Sequence, residues 1–250
     1  MKARKQPSKV IAIVPAAGLG KRFGRDANKP FLLLGGKPLI VWPLEVLESI
    51  PEIVEIIPAL RPADMELGRK VFEEFGLKKI KRIAPGGNER QDSVYNGLKL
   101  IEDRDSIVLI HDGVRPLLDR DKVVSALKEL GHDGKSMQDK AGFDGVVLAV
   151  PVKDTIKEVE DMFVSGTLKR ESIRAIQTPQ IFPYKVLLAA YDRAMKEGLY
   201  STDDSALVEK AGGRVRIVAG SYRNIKITTP EDLVTAEAFL RASEPEKHTD

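Results

Sequence analysis

The chain has 250 residues, 42% of them hydrophobic, enough to bury a sizeable core. Its 40 Lys and Arg against 37 Asp and Glu leave a formal charge of only +3, which argues against a general nucleic-acid binder, because that needs a clustered basic face. There is no Cys, so disulfides and thiol catalysis are excluded, and no apolar run approaches the roughly 18 residues of a membrane span.

Met1 to Lys9 is basic but lacks the apolar segment of a secretory signal, so a cytoplasmic location is expected. Val10 to Val14 reads as a buried strand. Pro15 is expected to stop it, since proline cannot donate to a sheet ladder. Then come Pro15, Ala16, Ala17, Gly18 and Gly20, followed by Lys21, Arg22 and, further on, Lys29. Small residues let backbone N–H groups approach a ligand closely. Successive N–H groups in a turn attract anions, and Lys and Arg at the rim add full positive charge. The stretch is therefore a candidate cradle for a nucleoside triphosphate. It is neither a Walker A loop nor the Gly-x-Gly-x-x-Gly fingerprint, since Gly18, Gly20 and Gly24 are wrongly spaced for the latter. On pattern alone, a Gly-rich turn without a ligand stays open.

Further elements alternate between strand and helix, which predicts a mostly parallel sheet flanked by helices. Helices are expected over Pro38 to Ile50, Ala63 to Phe75, Ser93 to Ile101, Arg120 to Leu130, Tyr184 to Glu197 and Thr202 to Ala211. Strands are expected over Val54 to Ala59, Lys79 to Ile83, Ser106 to Ile110, Val146 to Val150, Arg214 to Ala219 and Asn224 to Ile227. Pro85-Gly86-Gly87 reads as a turn, and Gly131 to Gly142 as a surface loop. Ser93 has a possible second reading as a helix N-cap. Thr229-Pro230-Glu231-Asp232 opens a last helix, with Thr at the cap and Pro at the first position. That helix should run to about Arg241, leaving a frayed tail over 242–250. Thr155 to Val159 and Gly166 to Arg170 suggest a β-hairpin projecting from the sheet, within an arm spanning about 151–178. A lone hairpin is marginally stable in water, so a second copy of the chain is its simplest partner. No linker or repeat is visible, so residues 1–250 read as one domain plus this arm.

Pro15-Ala-Ala-Gly-Leu-Gly-Lys-Arg22 with Lys29-Pro30-Phe31 resembles the signature of sugar-nucleotide and alditol-phosphate nucleotidyltransferases. Pro85-Gly-Gly-Asn-Glu-Arg-Gln-Asp-Ser93, His111-Asp-Gly-Val-Arg-Pro116, Pro151-Val-Lys-Asp-Thr155, Gln177-Thr-Pro-Gln180, Thr202-Asp-Asp-Ser205 and Asn224-Ile-Lys-Ile-Thr228 follow in order. Together they resemble the 2-C-methyl-D-erythritol 4-phosphate cytidylyltransferase family over about residues 9 to 241. The resemblance implies a Rossmann-like α/β fold, an arm that embraces the other subunit of a homodimer, and transfer of a cytidylyl group from CTP. It also implies that Arg22 and Lys29 touch the triphosphate and that Gly87, Asn88 and Ser93 read cytosine. Asn88 stands where many members have Asp, and Gly113-Val114 where Ala-Ala is common.

Asp112 sits just past a buried strand, where open α/β sheets bind ligands, and its carboxylate suits Mg2+. His111 beside it reads as structural, because an attacking phosphate is already nucleophilic and needs no base. Arg22, Lys29, Asp112 and Lys226 form the expected catalytic set. The resemblance places Arg115, Thr155, Arg170, Thr202 and Lys226 around the sugar phosphate, with Arg170 reaching in from the second subunit. Asp203 has two readings: a ligand for sugar hydroxyls or a helix N-terminal carboxylate. A ribitol-5-phosphate cytidylyltransferase shares most of these motifs, and a non-catalytic CTP-binding regulator is the rival from another class. A dehydrogenase is disfavoured by the glycine spacing.

Overall fold

A computed structural model describes residues 8–18, 28–131 and 142–242. Gly20 and Arg22, the surface loop predicted between Gly131 and Gly142, and the tail from 243 onward lie outside the described residues.

In chain order the strands are β1 (Val10–Pro15), β2 (Leu33–Leu34), β3 (Lys37–Pro38), β4 (Ile53–Leu60), β5 (Ala84–Pro85), β6 (Ile107–Ile110), β7 (Gly145–Pro151), β8 (Lys157–Glu160), β9 (Phe163–Thr167), β10 (Arg174–Pro183) and β11 (Val215–Ala219). The helices are α1 (Val41–Glu48), α2 (Met65–Glu74), α3 (Arg90–Lys99), α4 (Arg120–Leu130), α5 (Tyr184–Glu197), α6 (Asp204–Lys210) and α7 (Pro230–Arg241). Seven strands form the central sheet, in the order β11-β7-β10-β6-β1-β4-β5. All neighbours are parallel except β10, which runs antiparallel to both β6 and β7.

Strand alternation explains why the sheet is covered on both faces. Val10, Ala12 and Val14 of β1 join a core with α1 and α4, while Ile11 and Ile13 join a second core with α3 and α5. Every β1 residue is buried, as a strand buried on both faces requires. From β1 the chain moves to β4 and β5 on one side, then returns to β6 on the other. That reversal opens a crevice at the carboxyl ends of β1 and β6, where α/β sheets bind ligands.

Several expectations need correction. β1 stops at Pro15 as expected, but includes that residue, which pairs with Ala59. Residues 79–83 make no strand: one isolated bridge joins Ile56 and Ile80, and pairing resumes at Ala84 and Pro85. Proline is tolerated there because β5 is an edge strand. Pro38 belongs to the β2–β3 hairpin, so the first helix starts only at Val41. Asn224 to Ile227 is not a strand. Ile227 instead donates its N–H to the Val114 carbonyl at 2.8 Å and packs with Leu34, Leu39 and Ala236 under α7.

The largest correction concerns the arm. Residues 174–178 belong to β10 in the central sheet, so the free-standing part is narrower than 151–178. It is the two-stranded sheet of β8 and β9, which is exposed almost throughout. Asp161 and Met162 at its tip both have positive φ, 48° and 68°, as a two-residue hairpin turn with the right-handed strand twist requires.

Candidate active site

A cavity of about 520 Å3 occupies the crevice. Pro15, Ala16, Ala17, Gly18 and Lys29 line it. Gly87, Asn88, Arg90, Ser93, Asp112 and Lys226 line it as well. The structure thus gathers the described members of the expected nucleotide set in one place. A larger cavity, about 730 Å3 between α2 and residues 76–83, contains none of them.

The glycine turn is shaped by close packing. A Cβ on Gly86 would lie 2.2 Å from the Ala17 Cβ and 3.1 Å from the Leu60 carbonyl oxygen. Gly86→Ala should therefore push the Ala17 wall out of place and cost about 1–3 kcal/mol of stability. Thermal unfolding together with equilibrium CTP binding checks this; unchanged binding would show that the wall does not need that contact. Ser93 is not an N-cap. It sits inside α3, accepts from the Gly87 N–H at 3.0 Å and donates to the Glu89 carbonyl at 3.2 Å. Glu89 is the N-cap, and its N–H is taken by Asp92 at 3.0 Å.

Asp112 is buried and surrounded by cations. Its Oδ1 accepts from Arg90 Nε at 2.8 Å, its Oδ2 lies 2.9 Å from Lys226 Nζ, and Arg115 Nε is 3.6 Å from Oδ2. Burial alone would raise the carboxyl pKa, but Arg90, Lys226 and Arg115 outweigh it and hold the group well below the usual carboxylate range. Burial lowers the Arg115 pKa, against the pull of Asp112.

His111 is structural, as its position suggested. Thr178 sits where the β10–β7 ladder is interrupted, accepts from the Asp112 N–H at 3.1 Å and bonds His111 Nδ1 at 3.1 Å. With the Thr178 hydroxyl donating to Nδ1, the His111 Nε2–H donates to the Arg115 carbonyl at 3.1 Å. That network suits a neutral ring, and burial lowers its pKa to about 4. The unfolded chain therefore binds one more proton between about pH 4 and 6.5. Stability should fall as pH drops through that window, by at most about 3 kcal/mol. An NMR titration should put the imidazole midpoint near pH 4; a midpoint above 6 would refute the assignment.

The remaining expected residues are not assembled within one chain. Thr155 and Arg170 are exposed near the β8–β9 hairpin, and Thr202 is exposed just before α6; none lines the cavity. Asp203 is the N-cap of α6, accepting from the Ala206 N–H at 2.9 Å, and it also accepts from Gln180 Nε2 at 2.9 Å.

Sequence reasoning missed Arg90 and Asp204. Arg90 Nη1 and Nη2 bond Asp204 Oδ1 and Oδ2 at 3.0 and 2.8 Å, and the Tyr191 hydroxyl donates to Asp204 Oδ1. The helix start expected at Ser93 concealed the signal. Arg90 is the first residue of α3, and a cation at a helix N-terminus faces the positive end of the macrodipole. Such a residue needs carboxylates elsewhere.

The donor set bears on Mg2+. Among the described residues, no group of three or more Asp, Glu or His could hold a metal. Asp112 alone, with Arg90 and Lys226 on its oxygens, does not make a resident metal site. It fits an ion that brings phosphate oxygens and waters as its other ligands.

The chain matches the family model described as 2-C-methyl-D-erythritol 4-phosphate cytidylyltransferase over residues 10–242. A relative of that name from Geotalea uraniireducens is 47% identical over 242 residues, 96% of this chain and 100% of the relative. One from Desulforamulus reducens is 42% identical, covering 93% and 96%. The solved structure of 4-diphosphocytidyl-2C-methyl-D-erythritol synthase from Anaerococcus prevotii superposes with a TM-score of 0.79 at 32% identity, covering 94% of this chain and 97% of that one. The Thermus thermophilus structure of 2-C-methyl-D-erythritol 4-phosphate cytidylyltransferase gives 0.73 at 30% identity, covering 94% and 99%.

Proposed function

The chain belongs to the 2-C-methyl-D-erythritol 4-phosphate cytidylyltransferase family, and on that premise we propose how its crevice carries the reaction. The enzyme transfers a cytidylyl group from CTP to 2-C-methyl-D-erythritol 4-phosphate, a step of isoprenoid biosynthesis. A phosphate oxygen of the acceptor attacks the α-phosphorus of CTP. The bond from that phosphorus to the β-phosphate bridge oxygen breaks, and pyrophosphate leaves. No protein nucleophile is required, so catalysis rests on positioning and charge.

The observation that carries the site assignment is the meeting of Lys29, Asp112 and Lys226 with the Ala16–Gly18 wall and the Gly87–Ser93 turn in one cavity. In our reading the Pro15–Gly20 loop, with Arg22, cradles the triphosphate, and Lys29 neutralises charge growing at the α-phosphate. Gly87, Asn88 and Ser93 read the cytosine. Lys226 and Arg115 hold the acceptor phosphate, with Thr202 and Asp203 beside the sugar. Asp112 would hold an Mg2+ ion that arrives with CTP, and the ion would supply charge neutralisation at the phosphates. Titrating Mg2+ into the protein without CTP should give no saturable heat, and with CTP it should; saturable binding to the nucleotide-free protein would overturn this order.

The second subunit completes the acceptor side. Val159, Met162, Phe163 and Val164 of the hairpin are 60, 93, 79 and 62% exposed, an apolar surface that suits burial against another copy. We read the enzyme as a homodimer through this arm, with Thr155 and Arg170 delivered to the partner's cavity. Among the described residues no helix is long and apolar enough to cross a membrane, and a substrate drawn from the cytoplasmic nucleotide pool fits a cytoplasmic enzyme. Pyrophosphate release with CTP and each alditol phosphate tests substrate choice. Faster turnover with ribitol 5-phosphate would overturn it, and CTP binding without any turnover would favour a regulator.

A further inference from the structure

We propose that Arg90, which lines the cavity beside Asp112, is a positioning residue for cytidylyl transfer: it holds Asp112 in place and ties it to the start of α6. The inference rests on reading Asp112 as a group of the reaction.

The geometry leaves Arg90 little freedom. Its two terminal nitrogens grip both oxygens of Asp204, at 3.0 and 2.8 Å. A guanidinium is a rigid planar fork, so this grip also sets where Nε points. Nε points at Asp112 Oδ1, 2.8 Å away. Asp204 is itself held in the core. It is fully buried, begins α6 and accepts the hydroxyl of Tyr191, which is also buried. The chain Tyr191–Asp204–Arg90–Asp112 therefore anchors one oxygen of Asp112 in the protein core. The other oxygen is shared by Lys226, at the cavity, and Arg115. Arg90 also follows the Gly87–Glu89 turn directly. One side chain thus links that turn, the end of β6 and the segment that carries Thr202 and Asp203. Lys in its place would keep the charge but could not make three directed bonds in one plane.

A double-mutant cycle tests this, because residues that act through each other are non-additive. Arg90→Lys, Asp112→Asn and the double variant are first shown to be folded by circular dichroism and melting. R90K should lower kcat by about tenfold or more in the wild-type background, as for a misplaced reacting group. In the D112N background it should change kcat by less than about twofold. The same loss in both backgrounds, or a wild-type rate for R90K, would overturn the inference while leaving Asp112 in the reaction. A wild-type rate for D112N would instead remove Asp112 from the reaction and this inference with it. Should R90K not fold, Asp204→Asn replaces it in the cycle. D204N leaves Arg90 in place but weakens its forked anchor, and additivity with D112N would again count against the proposal.

Discussion

Replacing Lys29 by alanine is expected to lower turnover by about 10²–10³-fold while the chain stays folded. The turn that carries Lys29 is held through its backbone. Lys29 opens a short 3-10 turn whose next residue, Pro30, is buried and accepts from the Ile40 N–H at 2.9 Å. The backbone of Lys29 accepts from the Leu32 N–H at 3.1 Å, a bond the substitution retains. Lys29 lines the same cavity as Gly87, Asn88 and Ser93. There a fixed cation meets charge that develops only as the α-phosphorus is attacked, so its loss should appear in kcat more than in KM. Pyrophosphate release and a melting curve read the two effects separately. A K29A enzyme with wild-type turnover would remove Lys29 from the reaction. Lysine-to-arginine at this position should recover part of the loss, because the charge returns in a different shape.

The α/β texture was legible because its cues are local. The apolar run of β1, the Asp119 cap and Gly131 stop of α4, and the Thr229-Pro230 opening of α7 each contain their own signal. What the sequence concealed depends on distant partners. β10 contains Gln177-Thr178-Pro179-Gln180, which reads as a break in an apolar strand. Gln180 nevertheless pairs with Ile110 in the sheet centre, its side chain bonding Asp203 and the Ser205 N–H. Asn224 to Ile227 has strand-like alternation, yet its apolar residues, Ile225 and Ile227, pack under α7 rather than in the sheet. The site divides in the same way. Gly87, Ser93 and Asp112 follow from motifs adjacent in sequence, whereas the Arg90–Asp204 pair joins residues 114 positions apart. An arginine at a helix start would have hinted at it, but the sequence reads as a helix only from Ser93.

Excising Thr155 to Arg170 and closing the gap with a short Gly–Ser link should give a folded, inactive monomer. The hairpin joins the central sheet only through its ends, since β8 and β9 pair with each other alone. Removing it leaves β7 and β10 paired through Ala149–Ile176 and Gln180–Val147, so the core is not opened. An isolated hairpin of this size does not hold its shape in water unaided. Its apolar residues are what a partner surface would order, and the two events depend on each other. Size-exclusion with light scattering reads the mass, and pyrophosphate release the activity; an active monomer would mean that each cavity is complete within one chain. Deletion alone cannot separate loss of the dimer from loss of Arg170, so a mixing experiment makes the stronger case. K29A and Arg170→Ala chains are each expected to be inactive, and the two are unfolded and refolded together. If Arg170 serves the partner's cavity, each mixed dimer holds one intact site, and random pairing should restore about a quarter of wild-type activity. If Arg170 serves its own chain, every site in the mixture carries one lesion and no activity returns.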